Sequence, residues 1–226
     1  MRRVLDLVYK DFVIEFRNRE SLVIVFGLSV LLAILVSFGV GSAYLDPDEK
    51  QRIFPTLLWM IFVFSASLSI VRSMRSEEKS DALTGLRLTG ISANCVYASK
   101  LILGLAVGMF GHIACSILLA GLLDQSLVPV VFEFCVLSLL VIMGYVAIGV
   151  TLSGFSLSSK LSAMLLPLTL IPLLFPLLFA AIEISMQLLL DGKLDYGSSW
   201  FVLLLVFDIV YLLLGLNLYS FAIGWE

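Results

Sequence analysis

Residues 130–152 read VVFEFCVLSLLVIMGYVAIGVTL, with Glu133 as the single charge. An α-helix rises about 1.5 Å per residue, so this run covers the roughly 30 Å hydrocarbon core of a bilayer. Inside hydrocarbon the backbone must satisfy its own hydrogen bonds, which makes the helix the default. A membrane β-barrel would show shorter segments of alternating polarity, and none is visible. Five further apolar segments lie at about 22–44, 53–71, 101–123, 161–182 and 200–224. The whole chain of 226 residues is 61% hydrophobic and 14% charged, against about 25% charged in a soluble domain. The mean hydropathy of +1.10 agrees. The expected fold is an all-α polytopic membrane protein of one domain, 1–226, with six transmembrane helices.

Lysine and arginine in the loops set the orientation. Eleven fall in residues 1–20, in the loop 72–100 and at Lys160; three, Lys50, Arg52 and Lys193, fall on the other side. Both termini and the loop 72–100 are therefore expected in the cytoplasm. In residues 1–20, Val4, Val8, Phe12 and Phe16 recur every fourth position among charges. That is the pattern of an amphipathic helix lying in the interface. The first span, from about Leu22, is too long for the 7–15-residue core of a signal peptide.

The loop 72–100 contains GLRLTGIS, with Gly85 and Gly90 spaced as in a phosphate-binding loop. The lysine that would reach the β- and γ-phosphates is replaced by Ile91, so a nucleotide site is excluded here. A short helix is expected from Glu77 to Leu86, with Ala82, Leu83 and Leu86 on one face and the glycines turning the chain. A second, Asn94 to Lys100, would lead into the third span. The loop reads either as a docking element or as a solvated connector.

Ser29, Ala33, Ser37 and Gly41 place small residues every fourth position along the first span, a surface that lets helices approach closely. It could face another span or a second copy of the chain. Gly104, Gly108 and Gly111 suggest internal packing of the third span. Cys95, Cys115 and Cys135 have neither metal-ligand nor redox spacing and read as packing residues. Trp59, Trp200 and Trp225 read as interfacial anchors. Asp124, Glu133, Glu183 and Asp208 lie toward the outer side, with Asp208 about 12 Å into the last span. Such a charge costs on the order of 3 kcal/mol at a helix centre, so it pairs, protonates or faces a cavity. Pro167, Pro172 and Pro176 interrupt the fifth span.

YKDFVIEFRNRES (9–21), FPTLLWMIFVFSASLSIVRSMRSEEKSDALTGLRL (54–88), VYASK (96–100), LLPLTLIPLLFPLLFAAIE (165–183) and FDIVYLLLGLNLY (207–219) resemble, in order and spacing, the haem exporter permease, B subunit, of cytochrome c maturation, an export-type ABC permease. The resemblance implies that loop 72–100 carries a coupling helix received by a separate ATP-binding subunit. Glu77, Glu78, Asp81, Ala82, Leu83, Leu86 and Arg87 are then the docking residues. It also implies a helical excursion within 183–199 that closes an outer gate, with Glu183 and Asp208 as outer-face residues. Haem is implied as a handled substrate; no cofactor or metal bound by this chain is expected. His112, the lone histidine, is a weak candidate haem ligand and otherwise a buried hydrogen-bonding residue. Implied partners are the ATPase, other cytochrome c maturation subunits, the haem chaperone, the bilayer of a bacterial inner membrane and a possible second copy; nucleic acid is not expected. The subunit would either pass haem across the membrane or transmit ATPase motion that releases the loaded chaperone. A permease for a lipid, polysaccharide or drug, and an ATP-independent scaffold, remain as alternatives.

The orientation is testable by cysteine labelling in a background lacking Cys95, Cys115 and Cys135. Asp48→Cys should react with a membrane-impermeant thiol reagent from outside and Ser80→Cys should not. The reverse pattern overturns the cytoplasmic assignment of loop 72–100.

Overall fold

The computed structural model describes the backbone of residues 2–17, 19–42, 45–80, 88, 90–157 and 162–224. Within these segments it describes the side chains except those at 2–4, 14–25, 42, 69, 71–80 and 156–168. Seven α-helices are present among the described residues: α1 Arg2–Arg17, α2 Arg19–Ser42, α3 Pro47–Ser80, α4 Ala93–Leu122, α5 Val131–Leu157, α6 Ser162–Asp191 and α7 Ser199–Ala222. No strand occurs among them. Five contain a stretch long and apolar enough to cross a membrane: Pro47–Leu68, Ala93–Leu122, Val128–Phe155, Thr169–Asp191 and Ser199–Ala222. In α2 the described apolar run is shorter, Phe26–Gly41.

Several boundaries differ from the sequence expectation, each for a local reason. Beyond the expected end of span two at residue 71, α3 continues as a helix to Ser80 because RSMRSEEKS holds helix-forming Arg, Met, Glu and Lys and no glycine or proline. The short helix expected at Asn94–Lys100 is the first part of the continuous α4. The separate excursion expected within 183–199 is an extension of α6 as far as Asp191, through ISMQLLLD. Gly192 ends it, with φ of 70° and its N–H bonded to Leu188 O at 3.0 Å, the left-handed position that glycine fills without strain. Ser198 then caps α7, its side chain accepting from Phe201 N at 3.2 Å. Pro172 and Pro176 lie inside α6 without terminating it.

The central helix is α5, which packs against α3, α4, α6 and α7. In α7 the buried positions are Phe201, Leu204, Asp208, Tyr211, Gly215, Tyr219 and Ala222, steps of three and four that form one inward seam. Its other faces carry exposed Val202, Val206, Ile209, Val210, Leu213 and Leu214, as a lipid-facing surface should. Gly104 and Gly108 of α4 press against Val146 and Ile142 of α5, where a Cβ would collide; these two pack as expected. Gly111 has nothing near it and points away. In α2, Ser29 and Ala33 are buried against the chain's own helices, whereas Gly41 is exposed. The small-residue stripe therefore serves internal packing at its first two positions, because α2 lies between α3 and α4.

At one end of the bundle Gln51 Nε2 donates to Leu189 O at 2.8 Å, tying α3 to α6. At the other end α1 lies on the start of α4: Leu7 is buried in a cluster with Ala93, Val96, Tyr97 and Tyr219. There Ser99 Oγ donates to Asp11 Oδ2 at 3.4 Å. The opposite face of α1 exposes Leu5, Tyr9 and Val13, the apolar side of an amphipathic helix.

The tightest approach of α7 to its neighbours is at Gly215, where a Cβ would run into the Tyr97 hydroxyl and Thr151 Oγ1. Gly215→Ala should destabilise the purified protein by about 1–3 kcal/mol, as overpacking does, and Gly111→Ala should not. Equal melting temperatures for the two variants would refute this packing.

Candidate functional site

The interior of the bundle is polar in three layers. Nearest the Gln51 end is an aromatic stack. His112 of α4 is fully buried. Its ring lies 4.4 Å from Trp59 of α3, nearly parallel, and 5.8 Å from Phe134 of α5. Phe62 meets both His112 and Tyr145 edge-on. Trp59 Nε1 donates to Ser185 Oγ of α6 at 2.9 Å, and Ser185 Oγ donates to Ala181 O at 2.6 Å. Tyr145 and Ser67 share a hydroxyl contact of 3.3 Å. Four helices are thereby joined through ring faces and hydroxyls. Trp59, expected as an interfacial anchor, is instead 0% exposed; its indole N–H has a partner only inside the bundle.

The middle layer is Asp208. Expected toward the outer side, at a depth where a carboxyl pairs, protonates or faces a cavity, it is 2% exposed, nine residues into a 24-residue helix. The three-and-four spacing of α7 turns that position inward. Its carboxylate meets the backbone notch left by Gly144 of α5, beside Leu177 of α6. Neither oxygen has a hydrogen-bond partner among the described residues. One turn further, Tyr211 donates to Leu173 O of α6 at 2.9 Å. Pro172 and Pro176 lack the N–H groups that would bond the carbonyls of residues 168 and 172, whereas Leu173 O, in reach of Leu177 N–H, takes the Tyr211 hydroxyl as an additional donor.

The third layer surrounds Tyr97, in the first turns of α4. Its hydroxyl donates to Ala147 O at 3.3 Å, beside Thr151 Oγ1, which donates to the same carbonyl at 2.7 Å. Its ring packs 5.2 Å from Tyr219. The entrance of the third span is thus keyed between α5 and α7. Tyr97, Tyr211, Tyr219 and Ser185 carry these contacts and were not singled out from sequence. The available signal was the spacing of α7, whose inward positions hold its Asp, both its Tyr and its only Gly.

Of the residues expected to form sites, Glu77 and Glu78 lie on the helical backbone of α3, but their side chains, and all of Asp81, Ala82, Leu83, Leu86 and Arg87, lie outside the described residues. Glu183 is half-buried in α6, while Asp124 is exposed in the turn after α4. His112, with both ring nitrogens unpartnered among the described residues, is enclosed by the rings of Trp59, Phe62 and Phe134. Of the small-residue stripe, Ser37 is half-buried.

The polar contacts in the aromatic layer predict two opposite serine responses. Ser185→Ala leaves a buried indole N–H without its acceptor and should destabilise by about 1–3 kcal/mol. Ser138 is also buried, but its hydroxyl has no partner among the described residues, so Ser138→Ala should be neutral or stabilising. Melting of the two purified variants, side by side, decides the point.

A protein-family model described as "CcmB protein" matches residues 2–224. A search of curated proteins found no match.

Proposed function

The chain belongs to the CcmB family, and from that membership we propose that it is the motion-transmitting subunit of its transporter. It is a multi-pass membrane component of the haem export ABC system of cytochrome c maturation. In the proposed reading it resides in the bacterial inner membrane as a single permease domain of six spans, with both termini in the cytoplasm. A separate ATP-binding subunit hydrolyses ATP and docks on Glu77–Arg87. The displacement is passed to partner subunits that hold haem and its chaperone, and the loaded chaperone is released.

The observation that carries this reading is the length of α3. The apolar stretch of α3 runs to Val71 and the helix continues to Ser80, nine residues or about 14 Å at 1.5 Å per residue. A continuous helix is a stiff lever between a docking loop and the bundle. On the far side of the loop, α4 begins at Ala93 and buries Tyr97 between α5 and α7. A push on the loop therefore reaches the bundle from both of its ends. Transmission is favoured over passage of haem through this chain because Trp59, Phe62, His112 and Phe134 pack ring against ring inside the bundle, and His112, the chain's lone histidine, is enclosed there. The three-to-eleven division of basic residues supports the orientation.

The docking assignment is tested by Leu83→Asp, with ATPase co-purification and holo-cytochrome c yield read against the amount of inserted subunit. An aspartate in an apolar cleft costs several kcal/mol unless paired, so both readings should fall while insertion stays normal. Glu77→Ala, at a charged rim, should change them little. If Leu83→Asp leaves binding and maturation intact, the loop is a solvated connector.

A further inference from the structure

We propose that Asp208 is a proton-exchange site of this protein, enclosed as the carboxylic acid while α5, α6 and α7 are closed and giving its proton to water when that junction parts. The inference starts from what surrounds the side chain. The group is 2% exposed, and neither oxygen accepts a hydrogen bond from any described residue. No lysine or arginine occurs anywhere in α5, α6 or α7. An ionised carboxylate buried without a cation or donors is among the most costly arrangements in a membrane, whereas a neutral acid is not.

The other titratable groups on the elements packed around α7 are engaged elsewhere or lie away along their helices. Cys115 of α4 is seven residues from Gly108, Cys135 of α5 nine from Gly144 and Asp191 of α6 fourteen from Leu177, about 10, 14 and 21 Å. Tyr219 of α7 packs on Tyr97. On α5, Tyr145 is turned to Ser67 of α3, and Glu133 lies eleven residues from Gly144, about 16 Å along the helix. On α6, Glu183 lies six residues from Leu177, about 9 Å. On α7 itself, Tyr211 donates to Leu173 O. On α4, His112 faces Trp59 and Phe134, and Tyr97 is turned to Ala147 and Gly215. The one basic residue of α4, Lys100, lies eight residues from Gly108, the glycine that packs on Ile142, about 12 Å along the helix.

The site also has a means of opening. Gly144 gives the carboxyl its place, and the third wall is α6, the helix that carries Pro172 and Pro176 beside the Tyr211 contact. When α6 moves away, water reaches Asp208, its O–H bond breaks, and the proton leaves to water as hydronium, with the carboxylate remaining. Reclosing takes the proton back. No other reactant is needed.

The test is infrared difference spectroscopy of the full chain in lipid nanodiscs, in H2O and D2O at neutral pH. Wild type should show the carbonyl stretch of a protonated carboxyl with a deuterium shift, and Asp208→Asn should lose it. Asparagine matches the acid in shape and is uncharged, so its membrane level should be normal. Gly144→Ala, which presses on the same oxygen, should shift the band without removing it, and serves if Asp208→Asn does not accumulate. A spectrum with carboxylate stretches alone, or a band indifferent to both substitutions, overturns the proposal. A second arm rests on the ATPase reading: with the co-purified ATPase trapped in its ATP state, the band should diminish. A band that persists there, in a complex shown to bind ATP, overturns exchange. The resting spectrum needs no ATPase, so failure of docking and failure of the proton site are distinguishable.

Discussion

The close approach of α5 and α7 is the contact on which the bundle depends. Lipid tails are as apolar as leucine, so two helices gain little by hiding apolar surface from one another; they associate by packing and by interhelical hydrogen bonds. Both are built here on glycines. Gly144 receives Asp208, Gly215 receives the Tyr97 hydroxyl, and Gly154 lies against Tyr219 and Ala222. Each glycine lets a polar or aromatic side chain lie where a methyl would stand. The polar layers follow from that spacing: Tyr97 reaches Ala147, and Tyr211 reaches Leu173, because the helices are near enough for side chains to find backbone carbonyls.

Hydropathy made the helical membrane fold legible, because apolar runs of twenty or more residues admit few other structures. Interior detail was less legible, and the reason differs from residue to residue. Trp59 was read as an interfacial anchor because tryptophan favours headgroups; burial won because Ser185 offers its indole N–H an acceptor. Arginine, glutamate and lysine end a span but continue a helix, which is why α3 passes residue 71. Asp208 is legible as a costly intramembrane charge; where it points within the bundle is not. Only the register of Phe201, Leu204, Tyr211 and Gly215 turns it inward. The proposed docking residues Asp81, Ala82, Leu83, Leu86 and Arg87 lie outside the described residues.

Family membership and geometry meet at the loop between α3 and α4. The family supplies the transporter; the helices supply stiffness on either side of the loop. Tyr97 is held between α5 and α7 at the start of α4, and His112 lies in a closed aromatic stack. The proline-bearing α6 differs, since its own backbone ladder lacks the donors of Pro172 and Pro176.

The seating of α1 on α4 bears on how the chain is made. Asp11 and Ser99 are 88 positions apart, so the first helix leaves the ribosome long before the surface that receives it. Through the synthesis of α2 and α3 it has only the membrane interface to lie on, with Leu5, Tyr9 and Val13 on the apolar side. Its docking is then a late, long-range step of the kind that slows folding, and it records that α4 has arrived. An insertion machine or a quality-control protease would meet a loose first helix on an unfinished chain and a seated one on a finished chain.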